Sequence, residues 1–355
     1  MAHGSGFFRT SYAADMAVVD TGLRRVGLVL VFAVALLLPR IASPFVIELV
    51  SQAALAAVGA LALNLLTGMA GQISLGHAGF LAAGAFTVGV LVEAWKAGPL
   101  VTFPAAALVG ATLGLVVGAP SLRLKGLYLA LGTLAMHFVV LYAGSEYQAR
   151  WGHNTGVTVP ALTIAGYRIR SGVQWYYGLL GLATLTTIVF VNLGRSRVGR
   201  AWMAIRDREI AAASLGIAVA RYKLLAFVAS SVITAVAGAV WSYQRGFVSV
   251  EAFAFLVTIE YIAMIVIGGM GTALGALLGA GFVTLLPYAI DGLVAMLPVS
   301  GATEYYVFPL KFGAFGLLMA AFLVFEPQGL VGIWRRMRAW VVLWPLRYAP
   351  LGGER

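Results

Sequence analysis

Residues 46–66 read VIELVSQAALAAVGALALNLL and carry a single charged side chain, Glu48. A helix needs about 20 mostly apolar residues to cross a bilayer core of roughly 30 Å, because each residue rises about 1.5 Å. The stretch therefore predicts a membrane-spanning helix. Similar stretches recur along the chain, and they decide its fold class.

Charge-poor segments bounded by charged residues, proline or glycine predict an all-α polytopic membrane protein with about ten transmembrane helices. The predicted spans are 26–40, 46–66, 75–94, 100–119, 126–144, 174–193, 223–244, 254–270, 275–297 and 307–325.

The composition supports the same fold class. Of the 355 residues, 61% are hydrophobic and 10% are charged, whereas soluble domains have roughly 45–50% apolar and about 25% charged residues. A soluble core cannot bury so much apolar surface, so the lipid bilayer must be the solvent. The absence of cysteine excludes disulfides, thiolate metal sites and cysteine nucleophiles.

The net charge of +11 comes from 24 basic and 13 acidic residues. An even number of spans puts both termini on one side, together with the 119–125 turn and the 194–223 loop. These segments hold most of the basic residues, which favours the cytoplasm. The positive charge is therefore interpreted as topology, and no nucleic-acid partner is expected.

The predicted spans divide the chain into three parts. Residues 1–25 are expected to be a cytoplasmic tail with an amphipathic interfacial helix, and 326–355 a cytoplasmic C-terminal tail. Between them, 26–325 form the transmembrane domain. It includes a long external loop, 145–173, and a cytoplasmic loop, 194–222.

Signatures of catalysis are missing. None of the four lysines is followed by Ser or Thr, so no phosphate-binding loop of the G-x-x-x-x-G-K-[ST] type is present. The four histidines are too scattered for a paired metal helix, and no G-x-S-x-G motif occurs. The chain is predicted to be neither an enzyme nor a metal protein, and to bind no cofactor.

Ionisable groups inside membrane spans are costly and point to function. Glu260 falls in the middle of the eighth predicted span and His137 within the fifth. Both are candidates for a translocation path or a proton relay. The alternative is that both are structural residues satisfied by packing between helices.

Two glycine-rich junctions, 68–80 and 268–282, join neighbouring spans. Such density of glycine allows close backbone approach and allows helices to break at membrane depth. Corresponding breaks in two parts of a transporter point to a translocation path, although tight packing explains them as well. The path or gate candidates here are Gly71, Gln72, Ser74, His77, Gly269 and Gly271.

The 194–222 loop predicts a short cytoplasmic helix. Asp207 and Glu209 begin an alanine-rich segment, where acidic residues suit the N-terminal end of the helix dipole. Gly216 is the expected C-terminal stop, with Ile217 folding back on the last turn.

Five strings in this order and spacing resemble the LivM-type inner-membrane permeases of branched-chain amino-acid ABC transporters. They are GQISLGHAGF (71–80), GLYLA with TLA (126–130, 133–135), GRAWMAIR (199–206), RYKLLAF (221–227) and IGGMGTALG (267–275).

The resemblance implies that the 194–222 loop docks on an ATPase subunit. Further implied partners are a LivH-like second permease, two ABC ATPase subunits that bind the ATP, a periplasmic substrate-binding protein and the lipid bilayer. It also adds Thr133 to the path candidates. The implied coupling residues are Gly199, Arg200, Ala204, Arg206, Asp207, Glu209, Ala211, Ala212 and Gly216.

The expected function is therefore import of branched-chain or other hydrophobic amino acids across the bacterial inner membrane. Two alternatives stay open. One is a permease of the same family for urea, amides or aromatic acids, and the other is a proton-coupled secondary carrier that uses Glu260.

Overall fold

The computed structural model describes residues 22–121, 126–151, 156–164, 166–295 and 329–343, with single positions between 313 and 324. The predicted N-terminal amphipathic helix and most of the predicted span at 307–325 lie outside these residues. The fully described helices are α1 (Gly22–Ile41), α2 (Pro44–Leu63), α3 (His77–Trp95), α4 (Pro99–Ser121), α5 (Leu127–Arg150), α6 (Gly172–Arg195), α7 (Arg197–Asp207), α8 (Glu209–Ser214), α9 (Val219–Arg245), α10 (Phe255–Gly268), α11 (Ala273–Ala295) and α12 (Gly329–Leu343).

Helices long and apolar enough to cross a membrane number eight among the described residues. They contain α2 to α6 and α9 to α11, and each corresponds to one of the predicted spans. The predicted first span is also helical as part of α1, but its apolar portion, Val29–Ile41, is shorter than the others. The polytopic all-α fold is thus shown, while the count of ten and the side of the termini stay predictions.

Close backbone contact holds α3 against α9. A Cβ added at Gly84 would overlap the carbonyl oxygen of Ala235, and one at Gly238 would overlap the carbonyl oxygen of Leu81. In lipid there is no hydrophobic driving force between helices. Membrane helices therefore associate largely through such tight packing of small residues. Together with α2, these two helices are the most buried of the spans.

One end of the bundle, here called the strand end, carries four two-residue strands. β1 (Val157–Thr158) pairs antiparallel with β4 (Phe247–Val248), and β2 (Thr163–Ile164) pairs with β3 (Tyr167–Arg168). A 3₁₀ turn, Val250–Phe253, follows β4.

The predicted external loop 145–173 coincides with much of this end. α5 continues through Arg150, so the loop is shorter than expected. Gln148 near the end of α5 accepts a hydrogen bond of 3.0 Å from the Val250 amide, which ties α5 to the 3₁₀ turn.

The opposite end, here called the loop end, carries α7 and α8. The C-terminal segment contributes α12, which packs against α10 and α11. Gly329 begins α12 with φ of +64°, and a Cβ there would lie 2.8 Å from the amide nitrogen of Gly269. Val331 is buried in the same contact region. The segment predicted as a tail therefore contains a packed helix.

We expect Gly84→Ala to destabilise the protein. The added methyl group would overlap the backbone of α9, which cannot rotate away, and such overpacking typically costs about 1–3 kcal/mol. Thermal unfolding of the purified protein in detergent is the measurement. Gly181→Ala is the matched control, because a Cβ at Gly181 in α6 meets nothing within 4 Å. Equal unfolding temperatures for the two variants would contradict the packing assignment.

Candidate functional site

The two glycine-broken junctions meet directly at the loop end. After α2 the chain continues as a π-helix, Asn64–Met69, before the helical hydrogen bonding stops. The Asn64 side chain donates to the Thr272 carbonyl oxygen at 2.8 Å and accepts from the Gly271 amide at 2.7 Å. A Cβ at Gly68 would lie 2.5 Å from the same Gly271 nitrogen. The junctions are therefore parts of one contact.

Asn64 was not among the sequence candidates. Its side chain is fully buried and satisfies both a donor and an acceptor freed by the break between α10 and α11. A carboxamide in an otherwise apolar span was the available indication, since buried polar groups in membranes need partners. Asn64 lies inside a predicted span and outside the glycine-rich junctions, so neither its charge nor a neighbouring glycine marked it.

The non-helical segment between Ala70 and Gly76 is held by threonines from other helices. Thr133 accepts a hydrogen bond of 2.8 Å from the Leu75 amide, and Thr258 accepts one of 3.0 Å from the Ala78 amide. Ser74 is buried and accepts from the Gly76 amide at 3.4 Å. The backbone amides released by the break are thus covered by protein instead of lipid.

His77 and His137 are both buried beside this segment. The His77 ring meets Tyr261 edge-on at a centroid distance of 4.7 Å, and His137 meets Phe255 at 6.2 Å. A Cβ at Gly79 would lie 2.8 Å from the His137 Cα. These contacts favour packing for both histidines, and their role in a path stays a prediction.

Arg206 of α7 reaches into the junction contact. Its Nη1 donates to the Gly68 carbonyl oxygen at 2.7 Å, and its Nε donates to Asp207 Oδ1 at 3.0 Å. Gly71 has φ of +68°, and a Cβ there would lie 2.8 Å from Arg206 Cγ. The side chain predicted for coupling and the glycine predicted for the path therefore touch each other.

The two path candidates of the second junction, Gly269 and Gly271, adopt positive φ angles that residues with a side chain rarely adopt. Gly269 has φ of +121° and Gly271 has φ of +77°. The Gly269 carbonyl oxygen accepts a hydrogen bond of 3.1 Å from the Thr272 hydroxyl. Glycine tolerates these angles because it has no Cβ.

The predicted short helix is present as α8, and the 194–222 loop also contains a second helix, α7, which the sequence did not predict. Asp207 is the last residue of α7, and Arg208 adopts an extended conformation with φ of −153° and ψ of 96°. α8 then begins at Glu209. The break turns the chain between the two helices.

The predicted end of α8 is correct. Gly216 has φ of +82°, and its amide donates to the Ala213 carbonyl oxygen at 3.0 Å. The Ile217 amide donates to the Ala212 carbonyl oxygen at 3.1 Å. This pair of bonds is the Schellman motif, which satisfies the last carbonyls of a helix.

Ion pairing links α8 to the first turns of α9. Lys223, itself buried, forms a 3.0 Å ion pair with Glu209. The Lys223 carbonyl oxygen accepts a hydrogen bond of 3.1 Å from Gln72 in the first junction. Trp202 of α7 donates to the Tyr222 carbonyl oxygen at 2.8 Å. The loop is therefore bonded to both the first junction and α9.

The other predicted coupling residues lie in the same loop. Gly199 is packed so closely that a Cβ would lie 2.6 Å from the Gly194 Cα. Arg200 donates to the Arg195 carbonyl oxygen at 2.8 Å. The Ala204 carbonyl oxygen accepts a hydrogen bond from the Arg208 amide, and the Ala211 carbonyl oxygen accepts one from the Leu215 amide. Ala212 is buried.

A cavity of about 530 Å³ lies between α2, α3, α9, α10 and α11, nearer the strand end. Glu260 lines it, and it is the one residue of the predicted path set found among the described lining residues. Tyr261 lines the cavity as well and carries the edge contact with His77. α10 therefore lines the cavity through Glu260 and Tyr261, and Tyr261 also contacts His77 beside the first junction.

Comparison with known proteins gives the family. The family model described as "Branched-chain amino acid transport system / permease component" matches residues 45–323. The chain belongs to this family. The LivM permease proteins of the high-affinity branched-chain amino acid transport systems of Salmonella typhimurium and Escherichia coli are 32% and 31% identical to it. In each case 333 residues align, which is 86% of this chain and 75% of the relative.

More distant relatives of this permease family have other names. The autoinducer 2 import system permease protein LsrC of Klebsiella pneumoniae is 34% identical over 186 residues, which cover 50% of this chain and 51% of LsrC. No solved structure gives a significant match. These relatives are transport permeases and not enzymes.

We expect Asn64→Ala to weaken the contact between the junctions. The change would leave the Gly271 amide and the Thr272 carbonyl without their partner, which typically costs about 1–3 kcal/mol for each buried group. Hydrogen–deuterium exchange of residues 268–273 should become faster. Asn192→Ala, an exposed position on α6, is the control and should leave that exchange unchanged. Unaltered exchange in Asn64→Ala would contradict the role of this side chain.

Proposed function

We propose that this permease is the membrane-spanning subunit of an ABC importer for branched-chain or other hydrophobic amino acids in the bacterial inner membrane. Two ABC ATPases, a LivH-like second permease and a periplasmic binding protein complete the system. ATP is bound and hydrolysed by the ATPases. The similarity to LivM across most of the chain supports this assignment.

The observation that carries the proposal is the surface of α8. Ile210 and Leu215 are 86% and 81% exposed, although the loop around them is rich in charge. Exposed apolar side chains on a polar end of a membrane protein favour a protein partner. On this proposal the ATPase subunit covers α8.

Force applied to α8 has a defined route into the membrane domain. The pair Lys223–Glu209 joins α8 to α9, and Arg206 joins α7 to Gly68 in the first junction. Gly68 in turn contacts Gly271 of the second junction. ATP-driven motion of the loop would therefore separate or close the junctions.

The positions of the Glu260 cavity and of the junction contact support an alternating-access mechanism. The Glu260 cavity lies toward the strand end, while the junction contact closes the loop end. Transporters expose a central site alternately to the two sides by gating around it. We propose that the loop end faces the cytoplasm and that the strand end, with its exposed Trp151, meets the binding protein.

The two alternatives are separable by experiment. A proton-coupled carrier would accumulate substrate in vesicles under a pH gradient without partner chains, whereas the importer requires ATP and the ATPases. His137 does not line the Glu260 cavity among the described residues, so a relay between the two has no support from the geometry. A ligand screen of the cognate binding protein with leucine, urea, short amides and aromatic acids decides the substrate.

We expect Glu209→Lys to uncouple ATP hydrolysis from uptake. The variant places a second cation beside Lys223, and the repulsion replaces the ion pair that joins α8 to α9. Uptake by the reconstituted complex should fall about tenfold or more, while insertion of the permease in the membrane is unchanged.

Charge exchange provides the control. The double variant Glu209→Lys with Lys223→Glu restores an ion pair in the same place and should recover a large part of the uptake. If Glu209→Lys transports normally, or if the double variant is no better than the single one, the proposed link from α8 to α9 fails.

A further inference from the structure

The Glu260 cavity has the lining of a small-molecule site. Its volume of about 530 Å³ is within the usual range of roughly 300–1,000 Å³ for ligand pockets. Apolar side chains such as Leu55, Trp241 and Met264 form much of the wall. A few polar groups stand among them, and such groups usually fix the orientation of a ligand.

Opposite charges are present on this lining. Glu260 lies on α10, Asp291 lies on α11, and Arg245, the last residue of α9, is exposed at the strand end. Among the described residues, Glu260 and Arg245 form no hydrogen bond or ion pair with a protein side chain. A carboxylate inside a membrane span is costly unless a cation approaches it. A ligand that carries a cation would therefore stabilise Glu260.

Neutral polar groups on the same wall offer further bonds. Gln244 Nε2 is buried and has no hydrogen-bond partner among the described residues. Tyr288 donates to Gln52 Oε1 at 3.4 Å, and Gln52 donates to Glu48 at 3.1 Å. The Gln244 amide nitrogen is enclosed by protein, so the neutral polar groups offered to a ligand are those of Gln52 and Tyr288.

We propose that this cavity binds a zwitterionic α-amino acid, with the ammonium group at Glu260 and the carboxylate at Arg245. The branched side chain lies against the apolar wall. The inference rests on the proposed importer function and deepens it. It makes the permease itself, and not only the binding protein, selective for the two charged groups of the substrate.

The test uses the full-length chain in lipid nanodiscs without partners. Ligand binding is followed by saturation-transfer NMR with three probes: L-leucine, leucinamide, which keeps the ammonium and lacks the carboxylate, and 4-methylvalerate, which has only the carboxylate. The expected order of affinity is leucine, then leucinamide, with no binding of 4-methylvalerate.

Two variants test the two charged side chains separately. Glu260→Gln should lower the affinity for both leucine and leucinamide about tenfold or more, since it removes a charge-assisted bond. Arg245→Gln should lower the affinity for leucine and leave the affinity for leucinamide unchanged. Glu251→Gln, an exposed carboxylate outside the cavity, is the control and should bind as the unmodified chain does.

Several results would overturn the assignment. The first is that leucine does not bind at concentrations of tens of millimolar. The second is that 4-methylvalerate binds as well as leucine does. The third is that Glu260→Gln or Arg245→Gln binds all three probes as the unmodified chain does. The importer function fails separately, if the complete complex shows no ATP-dependent uptake. Normal ATP-driven uptake of leucine by Glu260→Gln would leave that function standing and reject the site.

Discussion

Asn64 bonds at once to the amide of Gly271 and to the carbonyl of Thr272, and the rest of the structure depends on this bridge. A membrane interior supplies no water for backbone groups that a broken helix releases. The chain breaks at two junctions, and each released group needs a protein partner. Asn64 provides two, and Thr133 and Thr258 cover amides on the other side.

This constraint explains why glycines gather at the junctions and why the loop packs against them. A Cβ at Gly68 or Gly71 would push against Gly271 or Arg206, so the backbones approach only as glycine. Arg206 adds a bond from α7 to the same contact, and Lys223 connects α8 to α9. The loop end is thereby one bonded unit, through which we propose that a partner's motion reaches the membrane helices. Toward the strand end, the Glu260 cavity is left open for a ligand.

Local chemistry was predictable from the sequence, and contacts between distant residues were not. Apolar length predicted the spans, and the left-handed preference of glycine predicted the stop at Gly216. Asn64 and Thr272 are 208 residues apart, and no spacing rule connects them. The predicted short helix is present as α8, but α7 before it was not predicted, and the extended Arg208 separates the two. Glu260 was singled out by its charge, but its cavity became visible only in three dimensions.

We propose that the junction contact is a gate controlled by the 194–222 loop. Because the chain has no cysteine, spin labels can be placed solely at Ile73→Cys and Met270→Cys, two exposed positions in the two junctions. The distance between the labels is measured by double electron–electron resonance in the assembled transporter, without nucleotide and with trapped ATP. If the loop controls the gate, the two states should give two different distance distributions. Identical distributions in a complex that still imports its substrate would contradict the proposal.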